Sequence, residues 1–148
     1  WIGNVFKKEY LDYITEFAKL HGVDFIPKVL VPDEVLLDHL NKASVMLYLP
    51  VLEPFGFAPL EANACGTGVV TLSEGGVKET IRDGVNGFVV NDFDPERIAV
   101  LLMKFTNDLD FAKKFGKQSR EYVLKHWGFE QSIDNIEHHL ELTIRTNA

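Results

Sequence analysis

The order of apolar and polar positions along the first third of the chain switches between helical and strand-like patterns. Apolar side chains recur at helical spacing over residues 4–21, and a short apolar segment at 23–26 follows the helix end. A Pro-Asp-Glu sequence at 32–34 starts a second predicted helix. The run 44–49 is almost purely apolar, which is typical of a strand in a parallel sheet that is covered on both faces.

The rest of the chain continues the alternation with shorter elements. Loops at 50–56 and 73–76 separate the following predicted elements: a helix at 57–65, a strand at 69–72, a helix at 77–82 and a strand at 87–90. The sequence Asp94-Pro95-Glu96 combines a cap residue, a proline and an acid, which is a strong helix start. Two more helices are predicted near 109–125 and 129–145, with Trp127 and Phe129 packing the last one.

This alternation with short connections predicts an α/β fold: a Rossmann-like, doubly wound parallel sheet with helices on both faces. The length of 148 residues fits a single domain over 1–148. Ligands of such folds bind outside the carboxyl ends of the strands. We therefore expect the functional site among three loops, at 27–33, 50–57 and 73–77.

Composition narrows the classes of partner. The chain is 46% hydrophobic and 25% charged, which is a normal globular balance. Its formal net charge of −7 argues against a nucleic-acid partner, and it means that a phosphate ligand would need backbone N–H groups, helix N-termini or a few placed cations. The longest apolar run falls well short of the roughly 20 residues of a membrane-spanning helix, so no span is predicted.

Cysteine and histidine give no sign of a metal site. The single cysteine, Cys65, excludes an internal disulfide and cysteine-cluster metal sites, and it is compatible with a reducing, cytoplasmic location. Because it follows alanines on a predicted helix, we interpret it as a packing residue rather than a nucleophile. The five histidines show no metal-ligand spacing.

The most informative stretch is Glu53-Pro54-Phe55-Gly56-Phe57-Ala58-Pro59-Leu60-Glu61, between a predicted strand and a helix. Two glutamates lie eight positions apart, and Gly56 between them permits close backbone approach. The N–H groups at the start of a helix favour an anion, while carboxylates accept hydrogen bonds from paired hydroxyls. The segment therefore offers a diphosphate seat flanked by two carboxylates.

These residues resemble the E-x7-E signature of retaining glycosyltransferases of family 4, a family with the GT-B fold. Residues 61–70 are similar to that family's "LEAMACGTPVV", residues 73–81 to its "S-x-x-GG-x-x-E-x-I" and residues 83–90 to its "DG-x-NG-x-LV". The similarity covers nearly the whole chain. The resemblance implies the C-terminal, donor-binding domain of a GT-B enzyme that transfers a hexose from a nucleotide diphosphate sugar with retention, without an essential metal or other cofactor.

Residue by residue, the resemblance assigns Glu53 to the hydroxyls of the transferred sugar, where it helps to position the reacting centre. It gives backbone N–H groups of Phe55, Gly56 and Phe57 to the sugar and diphosphate. Leu60 would lie beside the nucleoside, and Glu61 would hold the ribose hydroxyls.

Structural interpretations stand beside these assignments. Glu61 near the start of a helix could be half of a capping box, and Glu53 alone would be an ordinary solvated loop acid. Gly75 and Gly76 are predicted to contact the phosphate or sugar of the donor, with a simple turn before a helix as the alternative.

The chain also departs from the family's pattern. Such domains normally begin with one more strand, a glycine loop and a helix that carry an Arg and a Lys for the phosphates; here Trp1-Ile2-Gly3 would be the tail of the next strand. We therefore expect a fragment that is inactive alone and binds donor weakly, with the acceptor (a sugar, polysaccharide or lipid-linked glycan) held by an absent N-terminal domain. An exposed sheet edge at the truncation is expected to promote self-association. Asn63 and Gly68 replace a usual Met and Pro, and both changes look structural.

Other functions remain to be weighed against transfer of a sugar. The main alternative is a non-catalytic scaffold or interaction module that resembles a donor-binding domain. A dinucleotide-dependent oxidoreductase would need G-x-G-x-x-G after the first strand, and the chain has no such run. A GT-B phosphorylase would need a lysine-bound pyridoxal phosphate, for which the sequence gives no signal.

Overall fold

The computed structural model describes residues 1–3 and 7–146. Helices and strands alternate along the chain in the following order: β1 (Ile2–Gly3), α1 (Lys8–Leu20), β2 (Lys28–Val29), α2 (Asp33–Lys42), β3 (Met46–Tyr48), α3 (Phe57–Ala64), β4 (Val69–Leu72), α4 (Val77–Thr80), β5 (Gly87–Val90), α5 (Pro95–Thr106), α6 (Leu109–His126) and α7 (Phe129–Thr146). The first three positions of the helix predicted from residue 4 lie outside the described residues.

The chain forms two compact units, Trp1–His39 and Leu40–Ala148. In the first unit, β1 and β2 pair in parallel, with Ile2 opposite Lys28. The strand predicted at 23–26 is wrong, because the paired segment is Lys28–Val29. The backbone N–H of Lys28 donates to the carbonyl of Trp1 over 2.8 Å. Pairing with β1 therefore determines which residues form the strand, and the apolar run at 23–26 does not.

The second unit contains a three-stranded parallel sheet with the order β3-β4-β5. Val69, Val70 and Thr71 of the central strand are fully buried, and because successive side chains of a strand point to opposite faces, both faces of β4 are covered. This confirms the expected α/β fold with parallel strands. The prediction that residues 44–49 are covered on both faces is wrong for β3, which lies at the sheet edge and leaves Leu47 44% exposed.

Aromatic packing joins α5 and α6 to one face of this sheet. The fully buried ring of Phe105 lies at the centre of the cluster, with its centroid 5.2 Å from Phe111, 5.4 Å from Phe115 and 5.9 Å from Phe88. The predicted start of α5 is confirmed, because the Asp94 carboxylate accepts a hydrogen bond from the N–H of Arg97 over 3.0 Å. Burial of a phenylalanine side chain contributes about 1.5–3 kcal/mol, so this cluster is a main anchor of the unit.

A buried hydrogen-bond network holds α3 against the segment that follows α4. The side-chain amide of Asn86 donates to Asn63 Oδ1 over 2.8 Å and to the carbonyl of Thr80 over 3.0 Å. Asn63 in turn donates to the carbonyl of Thr67 over 3.1 Å, and Asn86 Oδ1 accepts from the N–H of Arg82 over 2.7 Å. The network supports the structural interpretation of Asn63, and it fixes α3, whose first five residues form the second half of the family-like motif.

Candidate functional site

The Glu53 carboxylate is the centre of the loop between β3 and α3. Its Oε2 accepts a hydrogen bond from the hydroxyl of Tyr48, the last residue of β3, over 2.5 Å. Its Oε1 accepts from the backbone N–H groups of Phe55 over 3.2 Å and Gly56 over 2.8 Å. Glu53 therefore ties the end of a strand to the start of a helix, and it is not the free loop acid of the structural alternative.

These contacts change the acid strength of both side chains. The hydrogen bond from Tyr48, followed by that from Phe55, lowers the pKa of Glu53, and the bond from Gly56 acts in the same direction. Partial burial, reinforced by the hydrogen bond to Glu53 and by its negative charge, raises the pKa of Tyr48 to about 12. At neutral pH the pair is thus a carboxylate that accepts and a neutral phenol that donates.

Gly56 allows the loop to turn into α3. Its φ of +99° lies in the left-handed region, which glycine adopts without steric cost, and it is the residue that precedes the first turn of the helix. A Cβ at this position would lie 3.1 Å from Thr80 Oγ1 and 3.2 Å from a methyl group of Val77. Both the backbone conformation and the space therefore favour glycine here.

Gly75 and Gly76 pack directly under the Glu53 loop. A Cβ on Gly75 would lie 1.9 Å from the carbonyl oxygen of Glu53, and one on Gly76 would lie 2.3 Å from that of Pro54. The N–H of Gly76 donates to the carbonyl of Glu53 over 3.0 Å. The two glycines are thus needed for close backbone packing of the loop, while their predicted contact with a donor stays a prediction.

The loops predicted at 50–57 and 73–77 are brought together in this unit. Besides the Gly76 contact, the Glu74 carboxylate accepts a hydrogen bond from the N–H of Leu52 over 3.2 Å. Leu52 itself has a φ of +59°, a conformation that is uncommon for a residue with a side chain. The third predicted loop, at 27–33, belongs to the other unit.

A cavity of about 390 Å³, which is open to solvent rather than enclosed, lies beside α3. Four of the residues assigned to donor binding line it, and they are joined by residues from the end of α6 and the start of α7; the lining residues are Phe55, Phe57, Leu60, Glu61, Ala64, Val123, Trp127 and Ser132. Because α3 begins at Phe57, Glu61 is its fifth residue and lies beyond the capping-box position. The side chain of Glu61 is exposed, so its carboxylate is accessible to a ligand.

Two residues of this region were not assigned by sequence reasoning. Tyr48 falls within the apolar run 44–49, and this pattern gives no sign that its hydroxyl binds Glu53. Trp127, which the sequence predicts to pack the last helix, lines the cavity together with Ser132 of α7, and its ring also lies edge-on to Phe55, with centroids 5.5 Å apart. The buried Nε1 of Trp127 has no hydrogen-bond partner among the described residues. Phe129, also expected to pack, is 77% exposed.

Three further features concern metal binding, membrane insertion and the reactivity of the single cysteine. Within residues 1–3 and 7–146, no group of three or more His, Cys, Asp or Glu side chains could hold a metal ion. None of the helices in these residues combines the length and the hydrophobicity that a membrane-spanning helix requires. Partial burial raises the pKa of the Cys65 thiol, which is the reverse of what activates a nucleophilic cysteine.

Comparison with known proteins identifies similar sequences and folds. The model of the family described as Glycosyl transferases group 1 matches residues 2–122. D-inositol 3-phosphate glycosyltransferase of Streptosporangium roseum is 33% identical over 97 residues, which make up 64% of this chain and 22% of that relative. The chain therefore spans less than a quarter of the length of this relative.

Solved structures agree on the fold. Sucrose-phosphate synthase from Thermosynechococcus elongatus superposes with a TM-score of 0.75 at 22% identity, over 99% of this chain and 38% of that chain. Anabaena HepE, which was solved in complex with UDP-glucose, gives a TM-score of 0.72 at 20% identity, over 95% of this chain and 39% of that chain. At such identities the likeness concerns the fold alone, and it confirms the expected α/β fold of the GT-B class.

Proposed function

Because the chain belongs to the glycosyl transferases group 1 family, we propose that it is the donor-binding part of a retaining hexosyltransferase of family 4. In this proposal it binds a nucleotide diphosphate sugar, and the sugar passes to an acceptor hydroxyl held by another part of the full-length enzyme. The acceptor is a sugar, a polysaccharide or a lipid-linked glycan. The reaction needs no essential metal, and the enzyme works in the cytoplasm.

The observation that carries the proposal is the cavity beside α3. It gathers Phe55, Phe57, Leu60 and Glu61, which the resemblance had assigned separately to the donor, around a single space. Ligand pockets are mostly apolar with a few placed polar groups, and a carboxylate beside aromatic rings fits this description. We assign the hydroxyls of the ribose to Glu61, whose side chain is exposed at this cavity.

Glu53 acts on the transferred sugar through hydrogen bonds rather than as a nucleophile. Its carboxylate already accepts three hydrogen bonds, from Tyr48, Phe55 and Gly56, and these lower its pKa. Each of these bonds stabilises the negative charge and makes the carboxylate a weaker attacking group. This favours a front-face reaction within an ion pair, in which the protein positions the substrates and stabilises the leaving diphosphate.

The amides at the start of α3 have two roles in this proposal. Those of Phe55 and Gly56 hold Glu53, so their effect on the sugar is transmitted by its carboxylate. The amide of Phe57, the first residue of the helix, belongs to the end of α3 that carries the positive end of the helix dipole, and we assign the diphosphate to this end. A chain of net charge −7 otherwise offers no surplus of cations for this ligand.

A ligand-observed NMR screen of UDP, GDP and ADP, each with and without an attached sugar, tests the proposal. We expect weak binding of one nucleotide, and a loss of about tenfold or more in Glu61→Ala, because a hydrogen bond to a charged group is worth roughly 1.5–3 kcal/mol. Glu137→Ala, which removes an exposed carboxylate from α7, is the matched control and should bind as the unchanged chain does.

The outcomes separate the parts of the proposal. Equal binding by the unchanged chain and Glu61→Ala would refute the ribose assignment. Absence of binding by all three nucleotides, repeated with the full-length protein, would support the alternative of a non-catalytic module. Thermal melting of each variant establishes that a lost signal does not come from unfolding.

A further inference from the structure

The hydroxyl of Tyr48 is joined to Glu53 by the shortest contact of the site, at 2.5 Å. We propose that Tyr48 is a positioning residue, which sets the direction in which Glu53 accepts a hydroxyl of the transferred sugar. The inference rests on the proposed function, since it concerns the sugar part of the same donor. Tyr48 lies five residues before Glu53, on the strand rather than in the motif, and nothing in the E-x7-E spacing assigns it.

The number of acceptor sites on Glu53 supports a directional role. A carboxylate has about four lone-pair positions, two on each oxygen. The amides of Phe55 and Gly56 occupy Oε1, and the Tyr48 hydroxyl takes one position on Oε2. Among hydrogen bonds of the described residues, this leaves about one acceptor position, on Oε2, for an incoming hydroxyl.

The chemistry of the phenol suits this task. Partial burial and the negative charge of Glu53 keep the Tyr48 hydroxyl protonated far above neutral pH, so it donates steadily to Oε2. A tyrosine ring also has few rotatable bonds, and it is carried by β3, which pairs with the buried central strand β4. The Tyr48 hydroxyl is therefore a hydrogen-bond donor held in place by the sheet, whereas the amides of Phe55 and Gly56 belong to the loop itself.

A purely structural role for Tyr48 would have different consequences. If the tyrosine only anchored the loop, its loss would lower the affinity for the bare nucleotide and for the nucleotide sugar to the same extent. If it positions Glu53, its loss lowers the affinity that the sugar adds, and the affinity for the nucleotide, which we assign to Glu61, is unchanged.

The test compares Tyr48→Phe with Tyr10→Phe, which removes a hydroxyl from a tyrosine that is 64% exposed on α1. The first readout is the side-chain titration of Glu53, followed by carbon-13 NMR without ligand. In Tyr48→Phe its pKa is expected to rise toward the ordinary range, because the largest stabilising hydrogen bond of the carboxylate is gone. Tyr10→Phe should leave that titration unchanged.

The second readout is the gain in affinity from the sugar. This gain is the ratio of the affinities for a nucleotide sugar and for the bare nucleotide. The pairs are UDP-glucose and UDP, GDP-mannose and GDP, and ADP-glucose and ADP, and the pair that the unchanged chain binds is used. We expect the gain to fall by about tenfold in Tyr48→Phe, with the affinity for the bare nucleotide retained. In a Glu53→Gln background the same substitution should add little, because a residue that acts through Glu53 is coupled to it.

Unchanged titration of Glu53 in Tyr48→Phe would overturn the inference, and so would an equal loss for nucleotide and nucleotide sugar. If neither the unchanged chain nor the full-length protein binds a nucleotide, the proposed function fails, while the titration of Glu53 still decides whether Tyr48 controls its carboxylate. Tyr48→Phe is not used alone if its melting temperature is markedly lower than that of the unchanged chain. In that case the coupling between Tyr48→Phe and Glu53→Gln decides, because all variants are measured at one temperature at which each of them is folded.

Discussion

At position 75 the site has no room for the Cβ atom that any residue other than glycine would carry. The φ of Gly75, at +49°, is in the left-handed region, and an added Cβ would lie 1.9 Å from the carbonyl oxygen of Glu53. Gly84 has a similar φ of +72°, but an added Cβ there would meet no described atom within 4 Å. The two positions thus share the cost of the backbone conformation and differ in the steric clash.

We expect Gly75→Ala to destabilise the chain by about 1–3 kcal/mol more than Gly84→Ala does, because the backbone of the Glu53 loop must move to make room. Gly84→Ala should cost about 1–2 kcal/mol, which is the penalty of the left-handed conformation alone. Urea unfolding of the two variants and the unchanged chain measures the difference. Equal losses in the two variants would contradict the close packing of residue 75 against the loop.

At the scale of elements, the packing of α3 against α6 depends on a glycine within a helix. An added Cβ on Gly116 of α6 would lie 1.8 Å from the carbonyl oxygen of Gly66, just after the end of α3. Glycine in a helix interior costs about 1 kcal/mol relative to alanine, so the substitution would otherwise stabilise the helix. The local and the tertiary effect of the same methyl group therefore have opposite signs.

Gly116→Ala is expected to destabilise the chain by about 1–3 kcal/mol, because the overlap with backbone atoms outweighs the gain in helix propensity. Lys114→Ala, at an exposed position of the same helix, is the control and should change the stability by less than about 0.5 kcal/mol. Urea midpoints compare the three proteins. A more stable Gly116→Ala variant would mean that α3 and α6 are free to move apart.

Elements whose pattern is local were predictable from the sequence, and those that depend on a partner were less so. The strands at 69–72 and 87–90 and the cap at Asp94 are as predicted, because turns and a cap residue delimit them. The strand at 23–26 was wrong, since pairing with β1 selects Lys28–Val29. Apolar runs carry no information about which segment lies opposite them.

The candidate site likewise contains residues that the sequence motif indicated and contacts that only the three-dimensional structure reveals. The E-x7-E spacing led to Glu53 and Glu61, and the structure places the latter at the cavity. The contact of Tyr48 with Glu53 could not be predicted, because a tyrosine in an apolar strand has the same pattern whether or not its hydroxyl finds a partner. The edge-on packing of Trp127 on Phe55 joins residues more than 70 positions apart, and helical periodicity cannot reveal such a pair.

At the scale of the whole molecule, the position of β3 in its sheet bears on association between chains. Within the three-stranded sheet of the second unit, β3 is an edge strand that pairs with β4, and Leu47 in its middle is 44% exposed. Sheet edges with apolar side chains invite pairing with a strand of another chain. Leu140 on α7 is also exposed, at 59%, but it lies on a helix and not on a strand edge.

We therefore expect the chain to self-associate through β3, so that its sedimentation coefficient rises with protein concentration. Leu47→Lys should weaken this rise, because a lysine on an edge strand opposes edge-to-edge pairing. Leu140→Lys is the matched control: it adds the same charge to α7 and should leave the concentration dependence in place. A sedimentation coefficient independent of concentration would contradict self-association, and an effect of Leu140→Lys alone would assign it to α7 instead of the sheet edge.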